Sequence, residues 1–169
     1  TQYTVFTLKN TDGVSITEKN LLTPGIVKKV KNGGLYEDAV SADFNTVVDY
    51  QITVKAVAGT DTYRITDVLP SQIALTNFTN SLTVQKVSGE VTSTLAATTD
   101  YTVTLDEDGK GFELTLTDAC RKQLKDNDKI VITYKGTLKP NETTITPYAN
   151  SATLHYNTDK ELTDTANVF

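Results

Sequence analysis

The stretch TVVDYQITVKAV, residues 46–57, decides the fold class. Val48, Tyr50, Ile52 and Val54 recur at every second position, which is the side-chain period of a half-buried β-strand and not of a helix. Thr, Val, Tyr and Ile abound elsewhere in the chain, and these side chains suit a pleated surface. Working outward, the same alternation predicts strands at 3–9, 25–30, 62–69, 82–87, 101–105, 112–116, 129–138 and 148–156, with a last one at 165–169. Turn signals separate them: NGG at 32–34, AGTD at 58–61, DEDGKG at 106–111 and KPNE at 139–142. One helix is expected over TDACRKQLKD, 117–126, capped by Thr117, with Ala119, Cys120 and Leu124 turned inward. Many short strands with regular turns predict an all-β protein, an Ig-like β-sandwich with one short helix.

Composition bounds what such a domain does. The chain has 169 residues, 38% of them apolar, enough for one sizeable core. Its net charge is −5 and no basic cluster exceeds a short lysine run, which argues against nucleic acid as a partner. No apolar run approaches the roughly 20 residues of a membrane helix, so membrane insertion is not expected, and no stretch reads as a signal peptide. The opening TQYTVFTLKN reads as the middle of a strand, so an excised or processed fragment is expected. A single cysteine, Cys120, excludes an internal disulfide. The lack of Met, beside that single Cys, suits a protein that meets oxidants outside the cell.

Three polar residues fall on apolar rows. In GIVKKV, 25–30, Lys28 lies between Ile26 and Val30. In TYRITDVL, Asp67 follows Tyr63 and Ile65 and precedes Leu69. In YANSATLHY, Asn150 shares a face with Tyr148, Ala152, Leu154 and Tyr156. A buried charge is costly unless paired, and a buried amide must be hydrogen-bonded, so the least costly arrangement brings the three together. Register is open by one residue at the lysine, which leaves Lys29 as the alternative. Taken singly, each residue also has an ordinary reading: a snorkelling edge lysine, a strand-end aspartate bonding a turn, and an amide satisfying a bulge.

Together they have a chemistry. Desolvation strips a buried lysine of its proton and leaves a nucleophilic amine. A protonated buried carboxylic acid polarises an amide carbonyl. The amine then attacks Cγ of the asparagine, ammonia leaves, and an amide joins the two side chains. The fold supplies the proximity, worth up to about 7–11 kcal/mol of barrier. This is a single maturation step and not enzymatic turnover.

These residues stand in motifs that resemble the isopeptide-forming Ig-like domains of Gram-positive pilins and surface adhesins, of the collagen-adhesin A-region (CnaA-like) type. The pattern P-x-I-x-K-x-V is met by Pro24, Ile26, Lys28 and Val30, and I-x-D-x-L-P by Ile65, Asp67, Leu69 and Pro70. N-x-A-x-L-x-Y is met by Asn150, Ala152, Leu154 and Tyr156, and KIVITYKGTL looks like the family's penultimate strand. The resemblance spans roughly Pro24 to Phe169 and implies a domain over 21–169, with 1–20 as a strand or linker leading in from a preceding domain. The related CnaB type carries a Y-x-L-x-E-x-x-A-P box with a catalytic Glu, which is absent here.

The resemblance implies a structural domain of a cell-surface pilin or adhesin, such as a backbone stalk. Lys28 and Asn150 would be the cross-linked pair and Asp67 the proton shuttle. It implies an extracellular, cell-wall location. Partners would be neighbouring Ig-like domains, pilin subunits joined by sortase, and a host surface ligand. YTVFTLKN, 3–10, resembles the pilin motif V-x-V-Y-P-K-N, which would make Lys9 a sortase linkage residue, although Leu8 replaces its Pro. The alternative function is a ligand-binding adhesin module for host matrix protein or glycan. That needs exposed aromatics, whereas the eight tyrosines mostly fall on core rows.

No cofactor or metal is expected. Asp106, Asp108, Asp126 and Asp128 lack EF-hand spacing, and DEDG reads as a hairpin turn. His155 is the only histidine and faces away from Asn150, so no zinc site or nucleophilic triad assembles with Cys120. NFT (77–79) and NET (141–143) read as ordinary Asn/Thr loops.

Overall fold

In the computed structural model, residues 22–141 and 146–169 are described. Twelve strands are named in chain order. They are β1 (Gly25–Lys31), β2 (Ala39–Val40), β3 (Val47–Lys55), β4 (Tyr63–Val68), β5 (Ile73–Leu75) and β6 (Thr83–Ser88), then β7 (Val91–Thr94), β8 (Tyr101–Leu105), β9 (Gly111–Leu116), β10 (Lys129–Leu138), β11 (Tyr148–Tyr156) and β12 (Lys160–Val168). Two one-turn helices join them, α1 (Phe78–Ser81) and α2 (Asp118–Arg121).

The strands form two six-stranded sheets. One runs β1-β3-β10-β6-β7, with β5 also paired to β10, and the other runs β2-β12-β11-β4-β9-β8. All pairings are antiparallel except β2 with β12. The opening stretch, now β3, is a central strand, flanked by β1 and β10. Its predicted inward row of Val48, Tyr50, Ile52 and Val54 is fully buried. Ile130, Ile132 and Tyr134 of β10 and Ile65, Leu114 and Leu154 of the other sheet close the core from both sides. Burying each such aliphatic side chain is worth about 1.5–3 kcal/mol, so this inter-sheet layer is the main source of stability.

The structure adds elements and moves boundaries. The expected helix over 117–126 is a single turn. Thr117 caps it, its side chain accepting from the Cys120 amide. After Arg121 the hydrogen bonds tighten to i→i+3, Gln123 to Cys120 and Leu124 to Arg121, which swings Leu124 into the core. Cys120 and Leu124 are buried as expected, whereas Ala119 is exposed. A second helix, α1, lies between β5 and β6, both of which pair with β10, one with each half of it. The last strand begins at Lys160, not 165. The strand expected at 3–9, the linker over 1–20 and Lys9 lie outside the described residues.

Candidate functional site

Lys28, Asp67 and Asn150 arrive from three strands. Lys28 is on β1 of the first sheet, while Asp67 on β4 and Asn150 on β11 belong to the second. Alternation turns each inward: Val27 and Val68 beside them are exposed, yet Lys28, Asp67 and Asn150 are 0%, 1% and 0% exposed. Lys29 points the other way and its amine donates to Asp38 at 2.6 Å on the surface. Lys28 therefore faces the core and Lys29 the surface.

The three side chains meet around one hydroxyl. Lys28 Nζ donates to Asp67 Oδ2 and, at 2.6 Å, to Tyr134 OH. Tyr134 OH donates to the same Asp67 Oδ2 at 2.5 Å. Asn150 Nδ2 donates to Tyr134 OH at 3.0 Å. Nζ also lies 5.2 Å and 5.3 Å from the ring centroids of Tyr50 and Tyr134, which stack on each other at 5.4 Å. Phe112, opposite Asp67 on β9, meets the Tyr134 ring edge-on at 5.0 Å, and Phe78 packs on Phe112. These aromatics exclude water and leave the polar atoms to one another.

The electrostatics follow from that exclusion. Burial pushes the Lys28 amine below its ordinary value, and the charges of Asp67 and then Asp164 pull it only part of the way back. Burial, reinforced by the Asp67 charge, pushes the Tyr134 phenol well above its ordinary range. Tyr50 is raised by the same two causes in the same order. Among the described residues, the buried Asp67 Oδ1 and Asn150 Oδ1 have no hydrogen-bond partner, and Tyr50 OH faces the Asn150 amide without a bond of normal length. A poised amine, a carboxyl and an amide in one dry cavity is the constellation that amide transfer requires.

Sequence reasoning placed Tyr50 on a core row and gave neither it nor Tyr134 a role. A tyrosine on an apolar row usually contributes its ring alone. The available signal was that a buried phenol needs a partner, as the lysine did.

The remaining candidates do not assemble. His155 bonds Thr66 and Glu161 at 3.0 Å each, on the outer side of its sheet, and Cys120 is buried and unpaired. Among the described residues no group of acidic, histidine or cysteine side chains could hold a metal, and no helix is long and apolar enough to cross a membrane. Asp106, Glu107 and Asp108 lie in the turn between β8 and β9, as expected.

No protein-family model and no curated protein matches the sequence. Solved structures do match the fold. The major pilin subunit BcpA of Bacillus cereus superposes with a TM-score of 0.68 at 18% identity, covering 86% of this chain and 40% of that one. The pilus backbone protein RrgB of Streptococcus pneumoniae gives 0.62 at 26% identity, covering 80% of this chain and 53% of that one. The N-terminal domain of the Streptococcus gordonii adhesin Sgo0707 gives 0.62 at 17% identity, covering 85% and 32%. This chain therefore has the Ig-like sandwich fold of Gram-positive pilin domains, and its structural neighbours are structural pilins and an adhesin domain. It spans about half or less of the length of each of these proteins.

Proposed function

We propose that this chain is a stalk domain of a Gram-positive cell-surface pilin, held by an amide between Lys28 Nζ and Asn150 Cγ that the domain forms in itself. The observation that carries this reading is the burial of Lys28, Asp67 and Asn150 in one hydrogen-bonded cluster. Nζ attacks Cγ, the Cγ–Nδ2 bond breaks, and Nδ2 leaves as ammonia with a proton that began on Nζ. Asp67 carries protons within the site.

The bond would tie β1 of one sheet to β11 of the other. It would close a loop of about 120 residues and, by the chain-entropy argument for cross-links, stabilise by about 4–5 kcal/mol. Tension along the chain would meet a covalent bond instead of hydrogen bonds alone. A cell-wall location, neighbouring Ig-like domains and other pilin subunits as partners follow from this reading. Among the described residues, Tyr50, Tyr63, Tyr101, Tyr134 and Tyr148 are buried, so little tyrosine surface remains for a host ligand. The test is an intact mass of the denatured chain. A deficit of one ammonia, with a digest yielding Lys28 and Asn150 in one branched peptide, is expected. A full sequence mass would refute the cross-link and leave an Ig-like spacer.

A further inference from the structure

We propose that Tyr134 is a catalytic residue of the cross-link, its hydroxyl delivering the proton with which the Asn150 nitrogen leaves as ammonia. This rests on the isopeptide reading above and assigns a group that reading leaves without a role. The difficulty it answers is one of connection. The proton must travel from Lys28 Nζ to Asn150 Nδ2. Asp67 touches the donor end but, among the described residues, makes no hydrogen bond to Asn150. Among the described residues, the hydrogen bond that the Asn150 side chain makes runs from Nδ2 to Tyr134 OH at 3.0 Å. Tyr134 OH therefore stands between the carboxyl and the departing nitrogen, 2.5 Å from Asp67 Oδ2.

The direction of that last hydrogen bond reverses during the reaction. In the planar amide, the Nδ2 lone pair is delocalised, so nitrogen donates and Tyr134 accepts. Once Nζ has attacked, Cγ is tetrahedral and the lone pair returns to Nδ2. The nitrogen becomes the acceptor, facing the same hydroxyl. The relay is then balanced: Nζ gives a proton to Asp67 Oδ2, Oδ2 gives one to the Tyr134 oxygen, and Tyr134 gives its own to Nδ2. No oxidant, metal or water is consumed, and Tyr134 ends as it began. Because burial disfavours the free phenolate, the two transfers through Tyr134 are coupled and not successive. Stacking on Tyr50 and the edge of Phe112 fix the ring, so the hydroxyl is aimed before the reaction starts. Among the described residues Tyr50 OH makes no hydrogen bond to Lys28 or Asp67, so it cannot pass a proton along this route, although it faces the Asn150 amide.

The experiment follows cross-linking in the full chain made by cell-free translation. Synthesis is stopped, samples are denatured at intervals, and the ammonia-deficient fraction is counted by intact mass. A wild-type chain that never gains the deficit removes the isopeptide reading and this proposal together. Given the deficit in wild type, Tyr134→Phe is expected to slow its appearance by about a hundredfold, the usual range for a lost proton-transfer group. Tyr36→Phe, at a phenol outside the cluster that stacks under Lys31, is expected to keep the wild-type rate. A Tyr134→Phe chain that cross-links as fast as wild type overturns the proposal and leaves the isopeptide reading standing. Near-UV circular dichroism of Tyr134→Phe checks that it folds. Should it not fold, 3,5-difluorotyrosine introduced at position 134 keeps the ring and hydroxyl but changes the phenol's acidity. A changed rate and solvent deuterium effect support the relay, and an unchanged rate overturns it.

Discussion

The backbone N–H of Lys28 donates to Asp164 Oδ2 at 2.6 Å, a bond that crosses from the edge of one sheet to β12 of the other. Among the described residues the outer edge of β1 meets backbone at Val30, whose N–H bonds Glu37, while the Lys28 N–H two residues earlier has no ladder partner. Asp164 supplies one with a charged acceptor and holds β1 against the second sheet, setting the depth at which the Lys28 amine enters the core. Asp164→Ala, made in an Asp67→Ala background where no covalent bond masks the equilibrium, is expected to cost about 1–3 kcal/mol. Urea unfolding measures it, and Asp164→Asn should recover part of the loss through its remaining carbonyl oxygen. A midpoint equal to that of the background would show that Asp164 does not clamp the strand.

Among the described residues, Asp67 is the only carboxyl bonded to both the amine and the phenol. Asp67→Ala is expected to give a folded chain of full sequence mass. Loss of the closed loop removes about 4–5 kcal/mol, and Lys28 also loses its ion-pair partner. The amine can shed its proton, so the second cost is smaller than for a permanent charge. Calorimetry should show a markedly lower melting temperature. A variant that keeps both the ammonia deficit and the wild-type melt would remove Asp67 from the reaction.

The cluster was legible because period-2 alternation makes a misplaced polar residue conspicuous. Lys28 between Ile26 and Val30, or Asp67 between Ile65 and Leu69, breaks a row that otherwise reads as core. Tyr134 breaks no row, since its ring belongs there and only its hydroxyl is out of place. Asp164 escaped because β12 opens with KELT, all exposed, so no buried row announces the strand before Thr165 and Ala166. The missed elements share that cause. β7 is exposed throughout, β2 and β5 are two and three residues long, and α1 has one buried side chain, Phe78. None is long enough for a hydrophobic period to emerge.

Lys29 provides a sharp contrast with its neighbour. Its amine pairs with Asp38, whose side chain is 79% exposed, and that bond raises the amine's pKa. Such pairs contribute little in water and salt. Lys29→Ala should keep the ammonia deficit and an unchanged melting curve, while Lys28→Ala should lose the deficit. A Lys29→Ala chain without the deficit would transfer the linkage to Lys29 and contradict the inward register of β1.

Gly111 tests how finely Asp67 is held. It faces Val68 in the β4–β9 ladder, and a Cβ there would collide with the Asp67 carbonyl oxygen and the Asp106 side chain. Backbone cannot yield as a flexible side chain can, so Gly111→Ala must displace β4 at the residue that carries the carboxyl. The expected results are a loss of about 1–3 kcal/mol and slower cross-linking, read by urea unfolding and by mass against time. A rate equal to wild type would mean that the site tolerates movement of the Asp67 backbone.

Acid sensitivity has a separate origin, at Asp128. This buried side chain accepts from Ser88 Oγ at 2.7 Å and the Lys125 amide at 2.9 Å, pinning the loop that enters β10. Burial pushes its carboxyl up, but the Lys125 amide, the Ser88 hydroxyl and the charges of Lys86 and Lys125 outweigh it and hold it below the usual 3.8. A depressed folded value means that the unfolded chain takes up the proton first. The stabilisation is therefore complete above about pH 4 and disappears as pH falls through the folded value. Asp128→Asn should lower the melting temperature at neutral pH, since a neutral amide is the weaker acceptor for both donors. The deficit relative to the parent should then shrink as pH is taken below about 4, where the parent loses the same charge. Melting curves of the two chains, both in the Asp67→Ala background, decide it: a gap that stays constant down to the lowest pH would exclude Asp128 as an acid-labile clasp.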